Sequence, residues 1–554
     1  MSETKLFKDP LYGYINIPDY YVSEIIDTAT FQRLRRIVQT SYSPLYPSAT
    51  HNRFEHSFGV YYLGEIAGNS LTLAIQNNDK IKDLTDWSRI KDVFLLSCLL
   101  HDVGHAPFSH TGEQFFLDNT VARNQYADLH KTLISLVEHE KFKDDVPNED
   151  SQSAPPHELM SAIVGLQNFS NHLRNSFEKN LFARCITGYK FSETDKIHRL
   201  YNCYISLLNS KIIDVDRLDY LIRDAYFTGF DTVNIDYERL LNHITIIEDA
   251  DDDECYELGY YKGAISVIEN FVYAHDSERK WIQNHPCILY DIYIIQHIIS
   301  NLDKELSSDE NRLFSYDCLS ESGKELNGNV KISLLCDDDI ISLMKRYCKD
   351  ALSNEYFSRK NRRCPLWKTE AEYNTFVLGM VGSGDPLTKL ENALTETELY
   401  LRTNTDEWIV NDSTISRLEK EIEHLKANST TKIGAEAAKT LNAQKKTKEQ
   451  VLKVMKCLQA YSSSKGEICD FVILTARQFY SGFNKPDFSD IKIVFPAKDG
   501  KRKIAFEKAV TALSGRENLR DDFFYIFFKR SAKEKYDKEE LCKSLFIAFL
   551  EKDS

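Results

Sequence analysis

A mainly α protein, a multi-helix core with a smaller C-terminal α+β lobe, is predicted by three features of the sequence. Apolar residues recur at helical spacing from Tyr21 to about residue 115, as in helices with one buried face. Proline and glycine are scarce, 13 and 21 in 554 residues, so few points interrupt such helices. Beyond residue 467 the texture changes to short runs rich in aromatic and β-branched residues.

Taken in order, VSEIIDTATFQRLRRI, FEHSFGVYYLGEIAGNSLTLAI and WSRIKDVFLLSCLLHD each predict a helix. Residues 116–156 are more polar and end in VPNEDSQSAPP, whose prolines stop regular structure before HELMSAIVGLQ opens the next helix. YNCYISLLNS, DVDRLDYLIRDAYF and a long helix within AISVIENFVYAHDSERKWIQ follow. The signal weakens over 300–375, with the short apolar pieces KISLLC and DIISLMKRYC and the basic run FSRKNRRCPLWK. Residues 384–462 are highly charged and without sustained heptads, which predicts a surface helical hairpin rather than a free coiled coil. ICDFVILTARQFY, SDIKIVFPA and DDFFYIFFK read as strands, and ELCKSLFIAFLEK as a closing helix. The expected organisation is a core over 1–375, a charged helical insertion over 376–466 and the α+β lobe over 467–554.

The formal charge of −15 argues against a whole-surface nucleic-acid binder and leaves room only for a local basic pocket. The twelve cysteines form no C-x-x-C pair, so neither a zinc knuckle nor a disulfide framework is expected, and a reducing cytoplasm fits best. No secretory signal is read at the N-terminus. No apolar stretch approaches the ~18 to 20 residues of a membrane-spanning helix.

Chemistry concentrates in HDVGHAPFSH, residues 101–110, directly behind the apolar run VFLLSCLL. A buried His101–Asp102 pair must be hydrogen-bonded, ion-paired or bound to a metal. Upstream, Arg53 and His56 stand three apart and share a helical face; alone they read as a surface pair. Downstream, Asp214, Asp216, Asp219 and Asp224 cluster on an otherwise apolar segment, where caps and salt bridges would account for them. Together these segments offer imidazoles and carboxylates suited to a divalent metal with open positions.

The order His56, His101 with Asp102, then Asp216 resembles the signature of the HD metal-dependent phosphohydrolases. IIDTATFQRLRRI, HNRFEHSFGVYYLG, HDVGHAPFSH, HELMSAIV and DVDRLDYLIRDAYFTG are similar, in order and content, to the HD-domain deoxynucleoside triphosphate triphosphohydrolases, both the vertebrate enzymes that also carry a SAM domain and the bacterial dGTPase-like enzymes. The resemblance covers about residues 1–235. It implies an HD core with an N-terminal regulatory segment, and metal ligands His56, His101, Asp102 and Asp216, with Mg, Mn, Fe or Zn as the metal. It places Arg53 at the phosphates, His105 beside them, and His110, oriented by Glu113, as proton donor to the leaving oxygen, with His157 and Glu158 a further active-site pair ranked below His110. Gln39 would approach the deoxyribose, Arg217 the phosphates, and Tyr220 with Asp224 the sugar 3′-hydroxyl. Tyr226 and Thr40 depart from the family pattern, which puts base or sugar selectivity in question.

Lys5, Asp27, Gln32 and Arg35 match residues that hold a guanine nucleotide activator between subunits of the vertebrate enzyme. Read alone, Asp27 is a helix cap and Arg35 a solvated charge. No SAM module is expected ahead of the core. The expected activity is hydrolysis of dNTPs to deoxynucleoside and triphosphate by a homo-oligomer, dimer or tetramer, with dNTP depletion against phage as its role and a protein partner at 384–462. The alternatives are an HD hydrolase of another nucleotide or single-stranded nucleic acid, and a non-catalytic nucleotide-sensing scaffold.

Overall fold

Capping residues in the sequence set where the central helices begin. Asn52 accepts hydrogen bonds from the amides of Phe54 and Glu55 and opens the helix Arg53–Gln76. Asp86 does the same for Trp87–Leu100, and Asp214 for Val215–Thr228, which Gly229 ends at a φ of +64°. The computed structural model describes residues 4–116, 122–147, 153–231, 234–248, 256–308, 312–326, 330–360, 362–369, 371–375, 385–428, 435–477, 490–497, 500–506 and 522–550. Its elements are mainly helical and form two compact units, one of residues 1–279, 302–347 and 481–517, the other of 280–301, 348–480 and 518–554.

The first unit holds the candidate site. The helices Arg53–Gln76, Trp87–Leu100, Pro156–Phe169, Ser176–Thr187, Lys196–Leu208 and Val215–Thr228 pack around a core that includes Leu63, Leu71, Phe94, Leu99, Ile163, Leu181, Tyr204 and Leu218. Burial of such side chains stabilises the unit by roughly 1.5–3 kcal/mol each. Two glycines permit close approach. A Cβ at Gly59 would collide with Asp219 and Arg223 on Val215–Thr228, and one at Gly104 with the main chain of Met160 and Ser161 on Pro156–Phe169.

An antiparallel hairpin, β1 (Thr4–Asp9) and β2 (Gly13–Pro18), precedes the helices and is not signalled by the sequence pattern. A second sheet, in the order β10 (Gly500–Ala505), β9 (Lys492–Ala497), β4 (Tyr256–Tyr261) and β3 (Ile244–Glu248), has β9 parallel to β4. The run SDIKIVFPA is thus a strand as expected, but it pairs within the first unit, with β10 and β4, rather than with the strands of ICDFVILTARQFY and DDFFYIFFK. The expected partition at 375/376 and 466/467 therefore cuts across the compact units, because one strand pairing is long-range.

The second unit contains the antiparallel sheet β7 (Arg363–Pro365), β11 (Asp522–Lys529) and β8 (Phe471–Arg477). The charged segment folds as the helices Asp385–Asn404, Asp412–Asn428 and Ala435–Ser464. The last two form a hairpin, with Lys448 and Lys456 paired to Glu421 and Glu419 outside and Leu418, Ile422, Val454 and Leu458 buried inside. One expected helix is broken. Over residues 22–36 a π turn, a short α turn and a 3-10 turn follow one another, because the Thr28 hydroxyl donates to the Ile25 carbonyl and caps a new turn, Ala29–Gln32, by accepting from the Phe31 amide. The helix Ile265–Glu278 likewise gives way to a π turn over Arg279–Gln283.

Candidate active site

The helices Arg53–Gln76, Trp87–Leu100 and Val215–Thr228 bring four separated residues to one point. His56 is fully buried, with Nε2 2.9 Å from Asp216 Oδ1, 3.2 Å from His101 Nε2 and 3.6 Å from Asp102 Oδ2. His101 Nε2 lies 3.5 Å from Asp102 and 3.6 Å from Asp216. The outer nitrogens are engaged elsewhere: His56 Nδ1 with Asp219 Oδ2 at 2.7 Å, and His101 Nδ1 with the Cys98 carbonyl at 2.9 Å. With Nδ1–H donated outward, the two Nε2 atoms are left to face inward, where a cation that displaces the His56 proton could take up both lone pairs. The donor set of His56, His101 and Asp216 therefore fits a divalent metal, with Asp102 beside both imidazoles and bound by Arg53.

Electrostatics agree. Burial lowers the basicity of His56, but hydrogen bonds to Asp216 and Asp219 outweigh it and raise its pKa to about 9. Asp102 is opposed by burial yet held well below the usual carboxylate range by Arg53 and the two histidines. Metal uptake must displace the His56 proton and therefore tightens as pH rises. Asp219 is braced in turn: Tyr12 donates to its Oδ1 at 2.7 Å, and Arg223 binds it at 2.9 Å while reaching Asp9 at 3.1 Å. The N-terminal hairpin thus supports a ligand orienter.

A second constellation adjoins the first. His105, His110 and His157 have ring nitrogens within 4.8 Å of one another. Glu113 joins two of them, Oε2 to His110 Nδ1 at 2.8 Å and Oε1 to His157 Nδ1 at 3.0 Å. Burial opposes the positive charge on His157, but Glu113 overrides it and raises the pKa to about 9. Glu158 is raised to about 7 by burial. His105 is fully buried, stacked on His157 at 4.8 Å, and neither of its nitrogens has a partner among the described residues. Burial and the nearby cation Arg53 keep it neutral. His110 is exposed and accessible to a ligand.

Arg53 links the two groups, donating to Asp102 Oδ2 at 2.7 Å, Ser109 Oγ at 2.9 Å and the Gln39 carbonyl at 3.2 Å. The turn between the constellations is strained, with Phe108 at φ 55° and Ser109 at φ 53°, ψ −132°. Such conformations cost on the order of 1–3 kcal/mol each in non-glycine residues. Asp337 offsets part of this by accepting the Phe108 amide at 2.6 Å and the Val38 amide at 2.9 Å.

The other expected residues divide. Gln39 is buried, its side-chain oxygen unpartnered. Arg217 pairs with Asp214 and the Ser210 carbonyl, and Asp224 bonds His51 Nε2 at 2.6 Å, so the ion pair that Arg217 and Asp224 could have made is not formed. Tyr220 is half-buried, its hydroxyl held un-ionised by burial. Tyr226 is exposed. Of the regulatory set, Arg35 bonds Gln32 at 2.9 Å and lies over the Phe54 ring, and Gln32 bonds the Ile26 carbonyl. Lys5 and Asp27 are exposed, and among the described residues no side-chain hydrogen bond joins either to that pair.

Sequence reasoning missed His51, Ser109, Asp337 and the bracing role of Asp219. Asp219 alone carried a signal, as a carboxylate one helical turn from Asp216 on an apolar face.

Residues 53–163 match the family model described as the HD domain. Over that segment the chain is similar to the HD domain. An uncharacterized protein of Mycoplasma genitalium is 33% identical over 275 residues, 49% of this chain and 54% of that one. The deoxynucleoside triphosphate triphosphohydrolase SAMHD1 of Danio rerio is 31% identical over 245 residues, 44% of this chain and 37% of that one. The chain spans about half the length of the curated relatives it matches. A phosphohydrolase from Bacteroides thetaiotaomicron shares the fold at a TM-score of 0.53 and 19% identity, over 95% of this chain and 100% of that one. His56, His101 and Asp102 fall within the span that matches the HD domain, and Asp216 lies beyond it. Among the described residues no helix is long and apolar enough to cross a membrane.

Proposed function

We propose that the protein hydrolyses deoxynucleoside triphosphates to deoxynucleoside and inorganic triphosphate with a divalent metal, Mg, Mn, Fe or Zn. The observation that carries this reading is the junction of the tetrad His56, His101, Asp102 and Asp216 with the Glu113-linked histidines through Arg53. A bound metal supplies Lewis acidity toward phosphate oxygen and lowers the pKa of coordinated water. Arg53 and Arg217 provide cations for the phosphates, Arg53 through a planar fork suited to two oxygens. Neutral, buried His105 donates one hydrogen bond toward that charge. Cleaving the bond to the 5′ oxygen leaves an alkoxide that must be protonated, and His110, exposed and held by Glu113, delivers the proton. His157 stays cationic beside the phosphates, and Glu158 acts as a carboxylate. Gln39, Tyr220 and Asp224 form the sugar-facing group, with Asp224 oriented by His51.

The fuller reading includes a homo-oligomer, dimer or tetramer, activated by a guanine nucleotide at Lys5, Asp27, Gln32 and Arg35, a protein partner at 384–462, and dNTP depletion in the cytoplasm as an antiviral defence. The relative named a deoxynucleoside triphosphate triphosphohydrolase supports the substrate class. Incubation with single dNTPs and NTPs and Mg²⁺ or Mn²⁺, with and without GTP, tests it. Deoxynucleoside plus intact triphosphate is expected. Nucleoside monophosphate with pyrophosphate, or cut oligonucleotide, would point to another phosphoester, and no turnover under any metal or activator to a nucleotide-sensing scaffold.

A further inference from the structure

Against the 209–213 turn lies a cavity of about 750 Å³, within the range of small-ligand pockets and lined wholly by residues of the first unit. Its walls come from the end of the helix Lys196–Leu208, the turn after it, and strands β4 and β9. Lys190, Arg199, Lys211 and Lys492 line it, together with the rings of Tyr189, Tyr256 and Tyr260.

The acidic residues on its wall are already neutralised. Asp145 is paired with Arg184 at 2.7 Å, Glu257 with Lys503 at 2.6 Å, and Asp490 with Lys211 at 3.6 Å. Lys190 and Arg199 have no carboxylate partner among the described residues, and the Arg199 Nε is buried without an acceptor. Cations on a cavity wall without a carboxylate partner favour an anionic ligand. Cations beside aromatic faces suit a polyphosphate attached to a flat ring.

The same turn that closes the cavity holds the candidate site. Asn209 lines the cavity, donates to the Ile186 carbonyl at 2.9 Å and lies near enough to Glu158 for its side chain to favour that carboxylate. Ser210 lines it too, and its carbonyl accepts from Arg217 Nη1 while its amide donates to Asp214 at 3.1 Å. A ligand that shifts the 209–214 turn therefore moves Arg217 and Glu158 together.

We propose that this cavity is an effector site for a nucleoside polyphosphate, held by Lys190 and Arg199 and coupled to the candidate active site through Asn209 and Ser210. The site is separate from Lys5, Asp27, Gln32 and Arg35, and only its regulatory half rests on the hydrolytic function proposed above. ATP and inorganic triphosphate are titrated calorimetrically into the full chain as native protein, as the pair Lys190→Gln with Arg199→Gln, and as Arg53→Ala. Melting curves confirm folding, and Arg199→Lys serves as a conservative rescue. The native chain and Arg53→Ala should bind ATP alike at this site, triphosphate should bind more weakly for lack of ring contacts, and the double variant should lose roughly tenfold or more in ATP affinity. Unchanged ATP binding in the double variant, or its loss in Arg53→Ala, overturns the site; equal affinity for triphosphate and ATP overturns the nucleotide assignment. In hydrolysis assays ATP should alter the native dNTP rate and leave that of the double variant unaltered. ATP binding without any change in native hydrolysis overturns the coupling. Pocket-dependent ATP binding in a protein with no dNTP hydrolysis leaves the site standing and removes the function proposed above.

Discussion

Asp219 touches no proposed substrate, yet it fixes which nitrogen of His56 faces inward, and it is itself held by Tyr12 and Arg223. Asp219→Asn keeps the shape but lets His56 rotate or change tautomer, so metal affinity should fall roughly 10- to 100-fold, read as bound metal after dialysis against graded chelator. Acidity at the Glu113 cluster gives a second prediction at this scale. Glu158 titrates near 7 and His157 near 9. Activity that needs a Glu158 carboxylate and a His157 cation should rise as pH passes 7 and fall as it passes 9, in the profile of kcat/KM against pH. Glu113→Gln removes the anion that raises His157, so the alkaline limb should move down toward the ordinary imidazole value and the plateau collapse. The grouping of His56, His101, Asp102 and Asp216 was legible in the sequence through the resemblance, and through polar residues set in apolar segments. His51, Ser109 and Asp337 were not, since each acts on a partner distant in sequence: His51 on Asp224, Ser109 on Arg53, Asp337 on the Phe108 amide.

Among the elements, the crossing of Arg53–Gln76 with Val215–Thr228 determines whether His56 and Asp216 meet. Gly59 makes that crossing close enough for Asp219 and Arg223 to fit against the helix backbone. Gly59→Ala should destabilise the protein by about 1–3 kcal/mol through overpacking, measured by denaturant unfolding, and weaken metal binding in parallel. The long amphipathic helices were readable because their period is strong and their caps are explicit. The segment 22–36 was misread as continuous because its apolar spacing stays helical, while the interruption depends on one threonine hydroxyl. The β1–β2 hairpin and the β3–β4 pair were not read from the sequence, although Ile244–Glu248 carries a β-branched run. β9 was recognised as a strand but placed with the wrong partners, since a parallel pairing to β4 leaves no local trace.

For the molecule as a whole, a buried cluster of inward-facing donors couples metal to folding. Mn²⁺ at a hundred times its dissociation constant should stabilise the protein by about 2.7 kcal/mol, seen as a raised Tm that chelator reverses and that Asp102→Ala lacks. The strained turn at Phe108 and Ser109 acts at the same scale but with opposite sign. A chain selected only for robustness would carry glycine there. Ser109→Gly should therefore raise the Tm of the metal-free protein while slowing hydrolysis, because Arg53 loses the hydroxyl that holds its Nε. Thermal hardiness and turnover are traded against each other at a single serine, and a search for heat-tolerant variants of this protein would be drawn first to the residue it should leave alone.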